Sequence, residues 1–316
     1  MAPARSLSLM RIPAPTTDLA EAYALCDAIA RRDKPHLYTA AQQFEHRETR
    51  DAFAAAYASM RFIDDFVDDI PKRSALGDNE RRQAGAYVNG WLAQVQAART
   101  GFPGSEPVWL ALSHTFARFG LPLAPWEDLA QAMVTDLHVP LFRDWEQLRL
   151  YMRGASVAPA VVFMYLVLVR PNDDGESFTC PWDYARVAAV TEDLAVFCYW
   201  VHILRDVAID LEAGGTGLVY FPLQELEHYR LSVNDLHEMK AARKATNAYV
   251  RLASFEADRA RDHLTRGRRH LPQVLAASLP SHGRALTYLV DTYEAILRDL
   301  ARNDYDVFGD SPTMTD

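Results

Sequence analysis

The sequence predicts an all-α protein folded as one domain of about ten helices. Three observations carry that expectation. Apolar residues recur with helical spacing along nearly the whole chain, and the alternation of a half-buried strand is almost absent. Proline and glycine cluster at a few breaks, Pro71–Gly77, Gly101–Pro107, Gly120–Pro125 and Arg170–Pro181, which cut the chain into helix-length pieces. The mix of 49% hydrophobic and 24% charged residues is that of an ordinary globular protein. A length of 316 residues would allow two domains, but no linker, repeat or low-complexity tract divides them. The chain is therefore read as one domain over 1–316, with 1–16 and 309–316 as flexible ends.

Taken in order, helices are expected over 17–32, 34–45, 48–69, 79–99, 106–118, 125–138, 144–168, 181–211, 222–228, 232–268 and 281–303. In the third, Phe53, Ala56, Tyr57, Met60, Ile63 and Val67 make an apolar stripe at helical spacing. The eighth is apolar nearly all round, with Val196, Phe197, Cys198, Trp200, Val201, Ile203 and Leu204, as in a buried helix. Gly214-Gly215-Thr216-Gly217 ends it, and Leu218–Phe221 reads as one short extended piece. The most apolar run, Val157–Val169, contains Pro159 and is too short to span a bilayer, so it is expected to be a core helix.

The net charge of −9 argues against nucleic acid and against anionic membrane surfaces. An anionic substrate would need local arginine, lysine or metal. Cys26, Cys180 and Cys198 form no CxxC pair, which suits reduced thiols in the cytoplasm, and the N-terminus lacks the apolar core of a secretory signal. Membrane contact is expected to be peripheral at most.

Two acid clusters interrupt this pattern. Asp64-Asp65-Phe66-Val67-Asp68-Asp69 and Asp206-Val207-Ala208-Ile209-Asp210 lie about 140 residues apart, each with acids four residues apart and so on one helix face. Asp64 and Asp68 sit on the apolar stripe, where a solvated acid would lie opposite it. Tyr199, His202, Asp206 and Asp210 share one face of the second helix. Like charges that close, if buried, require a counter-cation, and hard divalent cations prefer oxygen ligands. Facing helices would make a carboxylate cage for Mg²⁺, able to hold a phosphate-bearing substrate. Arg61 and Arg205 beside the acids match phosphate oxygens in pairs, or form intrahelical ion pairs with the aspartates; the two roles are compatible.

Tyr57-x-x-x-Arg61-x-Ile63-Asp64-Asp65-x-x-Asp68 resembles the first aspartate motif of the squalene/phytoene synthases, and Ile203-Leu204-Arg205-Asp206-Val207-x-x-Asp210 resembles the second. Gly217-Leu218-Val219-Tyr220-Phe221-Pro222 is similar to the family's G-x-x-Y-[LF]-P segment, and Tyr293-x-x-Ile296-Leu297 with Asn303–Phe308 to its ending. The landmarks run in family order. The resemblance implies an isoprenoid-synthase helical bundle with a central cavity, and head-to-head joining of two prenyl diphosphates with loss of diphosphate, giving a squalene-, dehydrosqualene- or phytoene-type product. It implies Mg²⁺ on Asp64, Asp65, Asp68, Asp206 and Asp210, with Mn²⁺ as an alternative, and substrate contacts from Tyr57, Arg61, Tyr151, Arg205, Tyr220 and Tyr293. An NADPH requirement stays open. The carbocation needs a dry, aromatic pocket, with Tyr57, Phe62, Phe66, Phe163, Phe197, Tyr199 and Trp200 as candidate lining.

The chain departs from the family's pattern in places. Tyr199-x-x-His202 stands where Gln-x-x-Asn is usual, so His202 is expected on the metal, on the diphosphate, or as a core histidine hydrogen-bonded to a neighbouring acid. Asp33-Lys34-Pro35-His36-Leu37-Tyr38 replaces a serine-rich stretch, with Lys34 as the candidate phosphate contact. Gly154–Pro159 replaces a glycine-rich turn. A single-substrate cyclase or diphosphatase would use the same metal chemistry. A di-iron bundle needs Glu-x-x-His on two helices, and only Glu225-x-x-His228 is present. A non-enzymatic assembly member of the fold would be expected to lose the aspartates.

Overall fold

The structure is a computed structural model that describes residues 18–33, 35–68, 70, 76–138, 141–211 and 219–309. Lys34, Asp69, the glycine run at 214–217 and the chain ends therefore lie outside the described residues. Fourteen α-helices are present among those described: α1 (Leu19–Asp33), α2 (Pro35–Ala41), α3 (Arg47–Asp68), α4 (Asp78–Arg99), α5 (Pro107–Phe119), α6 (Ala124–Asp136), α7 (Trp145–Met152), α8 (Ala158–Leu168), α9 (Tyr184–Asp210), α10 (Leu223–His228), α11 (Val233–Ala242), α12 (Asn247–Arg268), α13 (Leu271–Ala277) and α14 (Pro280–Arg302). Their buried residues form one contiguous core.

Three expectations are corrected. The single helix at 232–268 is two: Arg243 takes a left-handed conformation (φ 54°) and Thr246 caps α12 through its hydroxyl, which accepts from the Tyr249 N–H. Apolar periodicity on both sides masked this break, because neither glycine nor proline marks it. The expected helix at 144–168 contains a π turn, Arg153–Val157, between α7 and α8. A short antiparallel pair, β1 (Arg170–Pro171) and β2 (Phe178–Thr179), closes the turn after α8. A Cβ on Gly154 would come within 2.1 Å of the Asp128 carbonyl oxygen, so the π turn crosses α6 at a distance only glycine permits.

The rod from Trp145 to Leu168 (24 residues) and α9 (27 residues) are long and apolar enough to cross a membrane, but more than half of each apolar window is buried inside the protein. Here they are the central helices. α8 packs on both α3 and α9, so the two acid-bearing helices lean on a common wall. On its other side α9 packs along α12.

A polar pin crosses that α9–α12 interface. Glu256 of α12 is fully buried and accepts from Trp200 Nε1 at 3.1 Å and from Arg259 at 2.6 Å. Arg259 also grips Glu225 of α10 through both terminal nitrogens (2.5 and 3.0 Å) and lies over the Trp145 ring at 4.1 Å. Two carboxyl groups thus share one guanidinium. Burial, followed by the neighbouring Glu225 carboxylate, pushes Glu256 up to about 9, so at neutral pH it keeps its proton. A folded-state pKa above the unfolded value stabilises fully below the unfolded value, and the contribution is lost as pH rises through the folded one. Glu256→Gln, which keeps the neutral form, is therefore expected to match the native melting temperature near pH 4, below the unfolded value, and to exceed it by a growing margin as pH rises toward 9. Parallel pH profiles in a thermal melt would contradict this.

Candidate active site

Arg61, Asp64, Asp65 and Asp68 end α3. Arg61 donates to Asp64 Oδ2 at 2.5 Å and pairs with Asp65, and Arg32 of α1 approaches Asp65 at 3.7 Å. Burial disfavours the Arg61 charge, but Asp64 and Asp65 outweigh it and raise its pKa above the usual guanidinium value. The near end of α9 mirrors this arrangement. Arg205 forks onto Asp206 with 2.6 and 2.8 Å bonds, and His202 Nδ1 lies 3.0 Å from both Asp206 Oδ2 and the Arg205 Nη2. Burial works against the Asp206 carboxylate, yet the Arg205 and His202 bonds hold it well below the ordinary carboxylate range. Each arginine thus neutralises an acid of its own helix while the cluster as a whole keeps excess negative charge.

Between the clusters stands a group of tyrosines. Rings of Tyr151 (α7), Tyr199 (α9) and Tyr220 (the extended piece before α10) lie 6.1–6.4 Å apart in the Tyr151–Tyr220 and Tyr199–Tyr220 pairs. Phe142 lies 5.1 Å from Tyr151. All three phenols have raised pKa values, first through burial. The acids then add to it: Asp64 and Asp210 both act on Tyr199, and Asp68 and Asp210 both act on Tyr220. Acids from α3 and α9 therefore converge on the same two side chains. Tyr293 of α14 is raised by burial first and is placed beside Cys198, Arg205 and Asp206. Cys198, Tyr199, Tyr220 and Tyr293 are surrounded by the bundle yet keep some accessible surface, and Tyr57 is half-buried.

Of the aromatic residues expected to line the cavity, several turn elsewhere. Phe62 packs on Trp109 at 5.8 Å, Phe66 stacks on Tyr87 at 3.7 Å, and Phe197 and Trp200 are fully buried, Trp200 pointing to Glu256 on α12. α3 and α9 carry apolar residues on several faces, so hydrophobicity does not say which face borders a cavity.

Two residues were missed. Asp136, at the end of α6, is 5% exposed and accepts the Tyr151 hydroxyl at 3.0 Å. It sits on the α6 stripe Leu129, Ala132 and Met133, an acid interrupting a buried face, the same signal that marks Asp64. Lys240 of α11 donates to the Ala208 carbonyl, satisfying one of the open carbonyls at the C-terminus of α9 and holding the turn that carries Asp210. No local sequence signal announces that contact.

The helical architecture with acids from two facing helices defines an isoprenoid-synthase fold. A squalene synthase from Alicyclobacillus acidocaldarius superposes with a TM-score of 0.72 at 24% identity, over 91% of this chain and 96% of its own. A dehydrosqualene synthase superposes at 0.74 and 19% identity, over 94% and 92%. Phytoene synthase of Arthrospira platensis is 27% identical over 305 residues, covering 95% of this chain and 89% of the relative. The 15-cis-phytoene synthase of Synechococcus elongatus is 26% identical, over 92% and 87%. The squalene/phytoene synthase family model matches residues 30–315, and the chain belongs to that family. It is a prenyltransferase of the head-to-head type, and a divalent metal serves prenyl diphosphate binding in the family.

Proposed function

We propose that this chain condenses two prenyl diphosphates head to head, using Mg²⁺ held between α3 and α9. The observation that carries the assignment of the site is the convergence of Asp64, Asp68 and Asp210 on Tyr199 and Tyr220. The donor set fits a hard cation: all oxygen, two carboxylates per helix face, with Asp206 kept ionised by its neighbours. Among the described residues no group of three potential ligands is close enough to hold a metal by itself. Asp64, Asp68, Asp206 and Asp210 are the proposed ligands. Asp65, engaged by Arg61 and Arg32, supports the first cluster from outside.

Bound metal would neutralise the diphosphate as the allylic C–O bond ionises. Arg61 and Arg205 supply fixed positive charge at the same place and can turn from their acids to phosphate oxygens. The packed rings of Tyr151, Tyr199 and Tyr220, with Tyr57 and Tyr293 as further candidates, would exclude water and stabilise a cation. His202, bonded to Asp206 through Nδ1, holds that carboxylate in orientation. That role fits its geometry better than direct ligation by an imidazole, which prefers softer metals than Mg²⁺. More than half of each long apolar window is buried inside the protein, which supports membrane contact that is peripheral at most, in a cytoplasmic enzyme.

The test is product identification. Purified protein incubated with farnesyl or geranylgeranyl diphosphate and Mg²⁺, with and without NADPH, is expected to yield a C30 or C40 hydrocarbon by mass spectrometry, and none after chelation. A C15 or C20 alcohol or cyclic olefin as sole product would support the single-substrate alternative instead.

A further inference from the structure

We infer that Lys240 is a positioning residue for the second acid pair, fixing Asp210 through the last turn of α9 and so setting how tightly that pair takes Mg²⁺ with diphosphate; this rests on the reading of Asp206 and Asp210 as metal ligands. Lys240 donates to the carbonyl of Ala208, the residue midway between the two acids.

The two acids are not held alike. Asp206 lies inside α9 and is fixed by its own neighbours, through two bonds from Arg205 and the contact with His202 Nδ1. Asp210 is the last residue of the helix. Its carboxylate shares a face with Asp206 only while the final turn stays wound, because residues four apart align only on a helix. The carbonyls of that turn lack donors further along the helix. The Val207 carbonyl accepts from the Leu211 N–H at 3.1 Å, and the Ala208 carbonyl accepts from Lys240. A cation at this end also offsets the negative end of the helix dipole.

The ammonium is delivered from a fixed base. α11 opens with a reciprocal cap, in which the Ser232 hydroxyl accepts from the Asp235 N–H and the Asp235 carboxylate accepts from the Ser232 N–H. Past its other end, Thr246 Oγ1 donates to Met239 Sδ at 3.3 Å and the Ala245 N–H donates to Asp306 Oδ1 at 3.2 Å. Leu236, one turn before Lys240, is fully buried and lines a small cavity with Asp210, Leu211 and Tyr220. α11 thus meets the end of α9 at two points one turn apart, and a side chain anchored on it can hold that end rather than follow it.

Two effects of opposite sign separate positioning from charge. An ammonium repels a divalent cation, so by charge alone its loss would tighten Mg²⁺ binding. Loss of the hold on the last turn would loosen it. The second effect is the larger, because it displaces a ligating carboxylate, whereas the first acts from a half-buried group partly screened by solvent.

The test follows the melting temperature of the full-length protein as Mg²⁺ is titrated at fixed inorganic diphosphate, with no turnover involved. Lys240→Met is expected to raise the Mg²⁺ concentration for half-maximal stabilisation about tenfold or more. Lys240→Gln, neutral but still able to donate, is expected to raise it less, and Lys240→Arg to stay within about threefold of native. Asp210→Asn is expected to raise it as well, and Lys240→Met added to Asp210→Asn to raise it no further, since the lysine acts through that acid. An unchanged or lower Mg²⁺ requirement in whichever neutral variant folds would overturn the inference, as would additive effects of the two substitutions. A native protein that Mg²⁺ and diphosphate do not stabilise would overturn the metal-site reading, and this inference with it.

Discussion

Asp206→Asn is expected to lower turnover by about a thousandfold or more, as does loss of a preorganised charge that acts on the leaving group. Asp64→Asn should do the same from the opposite helix. The substitution is isosteric; the Asn oxygen still accepts from Arg205 Nε and its amide can donate to His202 Nδ1, at the cost of the second Arg205 bond, so the fold should survive. What is lost is the negative charge on an acid that its neighbours keep ionised far below neutral pH. The measurement is steady-state turnover beside a thermal melt. Activity within a few-fold of native from a protein that melts normally would remove Asp206 from the metal site.

Arg259→Leu is expected to cost about 3–5 kcal/mol of stability, the range for removing one partner of a buried charge network. Arg259 is the guanidinium between Glu225 and Glu256, and Glu256 has no exposed surface. Without it, the Glu225 carboxylate loses a two-pronged partner and Trp145 loses the cation over its ring. The damage should reach the site, because Glu225 sits in α10 and α10 follows directly on Tyr220 and Phe221. Urea unfolding measures the cost directly. A midpoint unchanged from native would mean that the pin contributes little.

The acids were legible because an aspartate on an apolar stripe contradicts its own helix, and two such contradictions at the same spacing point to one cause. That logic singled out Asp64, Asp68, Asp206 and Asp210 as candidates, and applied to α6 it singles out Asp136 as well. It failed for the aromatics. Phe66 and Tyr199 carry the same apolar signal, yet one stacks outward on Tyr87 and the other faces Tyr220. It also failed where a helix stops without glycine or proline, as at Arg243.

The sequence by itself determined the helical class and the positions of most helices. It also marked the two acid pairs and their arginines, because periodicity, charge and spacing act within a single helix. Only the tertiary structure decided which aromatic residues stack away from the tyrosine cluster, that Asp136 accepts from Tyr151, and that Lys240 holds the end of α9. Those outcomes depend on how helices distant in sequence pack on one another, and packing is set by the joint fit of many side chains rather than by the pattern along any one of them.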